Sequence, residues 1–253
     1  MAEARTDIAG HSTEREQDRR EDFVDVFRRC PIPDDELLSS VGLFLKRQDL
    51  ARTLFLADLY SRIVDVPGVV LEFGVRWGRD LALFQALRGI YEPYNYGRKV
   101  VGFDTFSGFP SVDERDGDAA HVAVGAYDVG GEDYERYLQG VLDYHETESP
   151  LAHIRKHELV KGDVTETAGR YFEQHPETIV ALAYFDLDLY EPTRHCLEAI
   201  RPRLTKGSVV GFDELNCADF PGETLALQEV FGLGAVRLQR SPITPFPSFF
   251  VVE

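Results

Sequence analysis

Apolar residues recur at helical spacing between residues 34 and 64, through Leu37, Leu38, Val41, Phe44 and Leu45 and then Leu50, Leu54, Phe55, Leu59 and Ile63. This spacing predicts two helices, the second stopped by Pro67-Gly68. Beyond Gly68 the pattern changes to short apolar runs separated by helical stretches. Strands are predicted over 68–73, 99–104 and 157–161, in the run that ends at Phe185, and over 208–212. Helices are predicted over 79–90, 133–144, 166–173, 192–200 and 222–231, with Pro192 suited to a first helical turn. Residues 235–239 and 248–252 read as a closing hairpin, with Pro242, Pro245 and Pro247 confined to its connection. Strand and helix alternate and the last two strands are adjacent, which indicates an α/β fold on a mainly parallel sheet with an antiparallel finish.

Residues 105–131 break this rhythm. They are rich in Gly, Asp, Ser and Pro with few periodic apolar positions, the signature of a lid or binding loop. His121 lies inside that stretch and is a catalytic candidate, set against the alternative of a solvated loop histidine.

Composition narrows the function. With 253 residues, 43% of them hydrophobic, the chain can bury one large core, so a single domain with an appendage is expected. A net charge of -17 argues against nucleic acid or an anionic membrane as partner, while leaving room for an anionic small molecule held by a few local arginines. Arg76, Arg79, Arg194 and Arg237 are candidates for that by type. Cys30, Cys196 and Cys217 are widely spaced and form no metal-ligand or CxxC pattern, so they read as reduced thiols. The first residues are charged and polar, without the apolar centre of a signal peptide or a stretch of membrane-spanning length. A cytoplasmic protein with a polar amino-terminal arm is the expectation.

The candidate chemistry sits where apolar runs end in acids. Ala183-Tyr184-Phe185 leads into Asp186-Leu187-Asp188, and Val209-Val210-Gly211-Phe212 leads into Asp213-Glu214. In an open parallel sheet these strand ends share the rim where ligands bind. Acids converging there repel one another unless a divalent cation or a proton intervenes. The alternative is that one acid of Asp186/Asp188 caps the next helix and the other is solvated. Upstream, Gly74 and Gly78 in the loop after the first strand allow close approach to a ligand beside a helix amino terminus. The loop is not G-x-G-x-x-G, which counts against a nicotinamide enzyme. Asp104 ends the second strand, where doubly wound folds place a carboxylate against ribose hydroxyls.

Taken together, Glu72-Phe73-Gly74-Val75-Arg76-Trp77-Gly78, Gly102-Phe103-Asp104-Thr105-Phe106-Ser107-Gly108-Phe109-Pro110, Gly162-Asp163 and Asp186-Leu187-Asp188-Leu189-Tyr190-Glu191-Pro192-Thr193 resemble the macrocin O-methyltransferase family. The resemblance runs from about Gln48 to the last helix. It implies a class I, Rossmann-like fold with a seven-stranded sheet, S-adenosylmethionine as methyl donor, a divalent metal such as Mg²⁺, and a sugar hydroxyl of antibiotic biosynthesis as acceptor. The implied division is an arm (1–33), helices (34–66) and a methyltransferase domain (67–253) with a lid at about 105–145. By the resemblance, Glu72 and Gly74 surround the methionine part of the cofactor, Asp104 binds its ribose and Asp163 its adenine, with Thr105 and Asp186 also on the cofactor side. Asp186 ligates the metal with Asp213 and Glu214, and Asp188 is the general base. The family usually carries two aspartates where this chain has Asp213-Glu214, so the reach of Glu214 to the ion is in question, and Asn216 is its possible substitute. The implied acceptor is a nucleotide-linked sugar or a glycoside, and the implied assembly a homo-oligomer.

Other classes leave residues unexplained. A metal-dependent glycosyltransferase also uses Asp-x-Asp but gives no role to the Glu72 loop or Asp104. A haloacid-dehalogenase phosphatase wants its motif on the first strand. A non-catalytic binding protein of the same fold has no use for acids at both strand ends.

Overall fold

The computed structural model describes residues 13–131 and 133–253. The chain forms two compact units, one ending at Ala51 and the other beginning at Arg52. Among the described residues, no helix is long and apolar enough to cross a membrane.

In the first unit, the segment expected as a polar arm is helical from Glu14, as α1 (Glu14–Arg28), while residues 1–12 lie outside the described part. Its Glu, Arg and Gln are good helix formers. The Thr13 amide donates to the Glu16 carboxylate at 2.8 Å, fixing the first turn. Phe23 and Phe27, four apart on one face, meet the ring of Phe44 at 6.1 and 4.9 Å. The helix expected over residues 37–45 is instead a single turn, α2 (Asp34–Leu37), followed by a 3₁₀ stretch, Leu38–Phe44. Ser39, Ser40 and Gly42 lower its helix propensity.

Helix α3 (Arg47–Ser61) runs into the second unit. Its buried stripe is Phe55, Leu56, Leu59 and Tyr60, continued by Ile63; of the expected apolar series Phe55, Leu59 and Ile63 are buried and Leu50 and Leu54 are exposed.

The second unit is built on one seven-stranded sheet of order β3-β2-β1-β4-β5-β7-β6. The strands are β1 (Val69–Phe73), β2 (Val100–Asp104), β3 (His157–Lys161), β4 (Val180–Phe185), β5 (Leu204–Phe212), β6 (Gln239–Arg240) and β7 (Ser248–Val251). The first five pair in parallel, and β7 joins β5 and β6 antiparallel. The expected closing hairpin is present, with β6 shortened to two residues.

Side chains alternate across the sheet and give it two cores. Leu71, Phe73, Phe103, Phe185, Val210 and Phe212 face one layer, packed with α6 (Val164–Gln174), α7 (Tyr190–Ile200) and α8 (Gly222–Val230). Val70, Leu182, Tyr184 and Val209 face the other, packed with α3, α4 (Arg79–Tyr91) and α5 (Tyr134–Thr147). This alternation fixes which acids at the strand ends look toward which layer.

Candidate active site

The parallel register places Phe103, Phe73, Phe185 and Phe212 side by side across β2, β1, β4 and β5. Their rings follow one another at 5.0, 5.0 and 5.1 Å. Each precedes one rim residue: Asp104, Gly74, Asp186 and Asp213. The strand pattern extends one step into this row, since the amides of Gly74, Asp186 and Asp213 donate to the carbonyls of Phe103, Phe73 and Phe185 at 3.0, 2.8 and 3.1 Å. Gly74 is needed for the row to close. A Cβ there would lie 1.9 Å from the Asp186 carbonyl oxygen, and its φ of +89° disfavours any side chain.

Asp186 and Asp213 turn away from the phenylalanines toward the α3 side. There they meet Arg52, which lies in phase with Phe55, Leu59 and Ile63 at the head of the buried stripe of α3. Its Nη2 is 2.5 Å from Asp186 Oδ2, its Nη1 3.1 Å from Asp213 Oδ2 and its Nε 2.7 Å from Asp80 Oδ2. Arg79 Nε takes the other Asp80 oxygen at 2.8 Å. Burial works against the Arg52 charge, but the surrounding acids outweigh it and hold its pKa above the ordinary value.

Oxygens of Asp186, Asp188 and Asp213 all lie within 4.8 Å of one another. Asp188, two residues beyond Asp186, reaches the group through a left-handed backbone with φ of +63°. That conformation is costly for a side-chain-bearing residue and marks a position held in place by its surroundings. One support is Glu223 in the first turn of α8, whose carboxylate accepts from the Leu187 amide at 3.1 Å. Gly222 beside it lets α8 press on the same loop, since a Cβ would come 2.7 Å from the Asp188 carbonyl oxygen. Glu214 lies outside the three-acid group. One step on from Asp213, it takes the Cys217 thiol as hydrogen-bond donor.

The acids outnumber their partners. Glu72 Oε2, Asp213 Oδ1, Glu214 Oε2 and Glu223 Oε2 are buried without a hydrogen bond. Burial first, then Asp186 nearby, pushes the Asp188 and Asp213 carboxyls well above the usual range. Burial followed by Asp80 raises Glu72, and burial lifts Glu223 to about 8. Such a cluster fits a divalent cation, because hard carboxylate oxygens suit Mg²⁺ or Ca²⁺ and the positive charge would satisfy groups now unpaired. The free oxygen of Glu72 beside Gly74 likewise fits a cationic ligand over β1.

Asp104 is committed to backbone. Its Oδ2 accepts from the Val75 and Arg76 amides, both at 2.7 Å, and its Oδ1 from the Phe106 amide at 2.6 Å. It thereby joins the glycine loop to the start of the irregular stretch after β2. Thr105 Oγ1 donates to the Gly108 carbonyl at 2.8 Å, closing the next turn. Asp163 Oδ1 caps α6 through the Thr165 amide at 2.9 Å.

Residues 105–131 are anchored at both sides of the acid cluster. The base of this stretch is closed by the Gly125 amide donating to the Phe109 carbonyl at 2.9 Å and the Phe109 amide donating to the Ala126 carbonyl at 3.0 Å, and Asp116 accepts the Tyr190 amide at the start of α7 at 2.6 Å. Tyr127 at the end of this stretch carries the Arg76 guanidinium 4.7 Å from its ring centre. Burial and then the charge of Asp188 raise the Tyr127 hydroxyl pKa, which puts it in the field of the acid cluster. His121 is buried against Phe220, ring centres 4.5 Å apart, with Nε2 unpaired. Of the arginines named from the sequence, Arg194 is paired with Glu191 and Glu198.

No family model and no curated protein matches the chain. Solved structures do. A crystal structure of CalS11, a calicheamicin methyltransferase, is 44% identical over 99% of this chain and 98% of that one, with a TM-score of 0.92. The chain belongs to the CalS11 family. An apo structure of CalS11, described as a TDP-rhamnose 3'-O-methyltransferase of calicheamicin biosynthesis, is 43% identical over 96% of both chains, with a TM-score of 0.84. The O-methyltransferase NovP, 21% identical over 80% of this chain and 79% of its own, shares the fold at a TM-score of 0.60. The chain is thus an S-adenosylmethionine-dependent methyltransferase on the class I Rossmann-like fold. Its rim row lies at the carboxyl ends of the parallel strands.

Proposed function

We propose that the enzyme methylates a hydroxyl of a deoxysugar carried on a nucleoside diphosphate, with a divalent cation at the tips of β4 and β5. The observation that carries this reading is the convergence of Asp186, Asp188 and Asp213 within 4.8 Å in a chain 44% identical to CalS11. Natural-product biosynthesis is the setting that the relative's role supports.

S-adenosylmethionine supplies an electrophilic methyl on a sulfonium. Glu72 and Gly74 bind its methionine part, Asp104 and Thr105 lie along its ribose and Asp163 beside its adenine. Asp186 and Asp213 hold the cation, with Glu214 as a candidate third ligand. Bound there, the cation supplies Lewis acidity that favours the ionised form of a poorly acidic sugar hydroxyl. Asp188 takes the hydroxyl proton as general base, and its fixed backbone keeps the carboxyl oriented during an in-line transfer. The Tyr127 and Arg76 pair covers the cluster from the lid and limits access of water. His121, packed on Phe220, is given no step.

A second assignment is favoured by the three-acid group itself: Asp188, in place of Glu214, as the third ligand. Asp188→Asn distinguishes them, since a base lost leaves cation affinity near normal and a ligand lost weakens it. We also infer a homo-oligomer, with exposed Leu38, Val41 and Leu43 of the first unit as the contact surface, to be checked by light scattering.

The test is incubation with S-adenosylmethionine and dTDP-rhamnose, with and without EDTA, read by mass spectrometry. Gain of one methyl that depends on the cation supports the reading. Transfer of the sugar to an acceptor would support a glycosyltransferase instead.

A further inference from the structure

Arg52 occupies an unusual place for a cation, at the centre of the carboxylates that would bind a metal. Its guanidinium is gripped at three points, by Asp80, Asp186 and Asp213, over the ring of Tyr184 with 5.4 Å to the centre. Asp80 is itself held by Arg79, so the fork cannot swing aside without breaking a buried pair. It contacts Oδ2 of Asp213 and leaves Oδ1 of that residue buried and unpaired. Two facts follow from this geometry. In the metal-free protein, Arg52 supplies the counter-charge that keeps the tips of β4 and β5 together. When a dication arrives, it meets a like charge already bound to its own ligands.

We propose that Arg52 is a positioning residue of the site, a built-in counter-ion that aligns Asp186 and Asp213 without metal and opposes the dication electrostatically. The proposal rests on the reading above that these two aspartates ligate the cation. It makes the metal site stable when empty and its affinity deliberately moderate. Lysine cannot reproduce the fork, because one ammonium replaces a planar group with separate donors to separate carboxylates.

The test uses the full chain and Mn²⁺ alone as probe, followed by electron paramagnetic resonance, with melting temperatures in EDTA and in saturating Mn²⁺. For Arg52→Gln the expected result is Mn²⁺ binding about tenfold tighter than wild type, from loss of the neighbouring charge. A lower melting temperature in EDTA and a larger gain on adding Mn²⁺ should accompany it. Arg52→Lys should bind Mn²⁺ within about threefold of wild type, because the charge is kept, yet melt below it in EDTA. Should Arg52→Gln not fold, Arg52→Lys decides: a melting temperature below wild type in EDTA with Mn²⁺ affinity kept within about threefold supports the proposal, and weaker Mn²⁺ binding than that overturns it. Equal or weaker Mn²⁺ affinity or an unchanged gain in Arg52→Gln, or a wild-type melting temperature in EDTA for Arg52→Lys, would overturn the proposal. Absence of Mn²⁺ binding by the wild type would overturn the metal reading and this proposal with it.

Discussion

Phe185 and Phe212 stack with ring centres 5.1 Å apart, and the next residue after each, Asp186 and Asp213, holds one arm of the same arginine. An apolar contact on one sheet face therefore sets the spacing of two charges on the other. Phe185→Ala should destabilise the fold by about 3–5 kcal/mol, the usual cost of emptying a buried aromatic site. Where the variant still folds, it should also weaken Mn²⁺ binding. Denaturant unfolding and Mn²⁺ titration check the pair of effects.

Asp188→Asn should lower kcat by about 10²–10⁴-fold, the range for loss of a positioned general base, with S-adenosylhomocysteine affinity unchanged. Single-turnover kinetics with the sugar nucleotide measures it. A rate near wild type would remove Asp188 as base.

The metal-free protein should be less stable at pH 8 than at pH 5.5. Glu223 is lifted from its usual 4.5 to about 8, and Asp188, Asp213 and Glu72 are lifted too, all mainly by burial. Between the unfolded and folded pKa values the native state binds more protons than the unfolded chain. Stability from these groups is therefore full below about pH 4.5 and drains as pH rises toward 8. Melting temperatures in EDTA across this range should fall, and saturating Mg²⁺ should flatten the slope at the alkaline end.

Tyr127→Ala should raise the KM for the sugar substrate more than it lowers kcat. The ring joins the lid to Arg76 of the glycine loop and carries no proton in the proposed reaction. A fall in kcat alone, at unchanged KM, would contradict the lid role and point to a part in the chemistry.

The row of strand ends was legible because each strand is a short apolar run that stops in an acid or glycine, and parallel pairing puts such ends on one rim. The irregular course of residues 105–131 was legible from its lack of periodicity. Arg52 was not, because a charged residue does not register in an apolar series, although Phe55, Leu59 and Ile63 of that series are buried. Its phase with Phe55, Leu59 and Ile63 was the signal that could have found it. Glu223 and Asp80 look like ordinary first-turn acids of solvated helices, and only the packing of α8 and α4 against the rim buries them. Glu214 illustrates a different limit. Asp213 belongs to the three-acid group and Glu214 does not, whereas Asp188 rejoins Asp186 through a left-handed backbone, φ +63°, that no apolar spacing announces. The helix over Glu14–Arg28 was not legible in the polar composition of that segment, because what it rests on, the contact of Phe23 and Phe27 with the ring of Phe44, lies outside it.

The claim on which all of this depends is that one dication sits among Asp186, Asp188 and Asp213. Its most direct test is an anomalous difference map from crystals grown with Mn²⁺ and S-adenosylhomocysteine. A single peak within coordination distance of Asp186 and Asp213, beside the sulfur of the bound cofactor product, is the predicted result. Cofactor product bound over Gly74 with no peak at those carboxylates, and Arg52 still holding both, would contradict it.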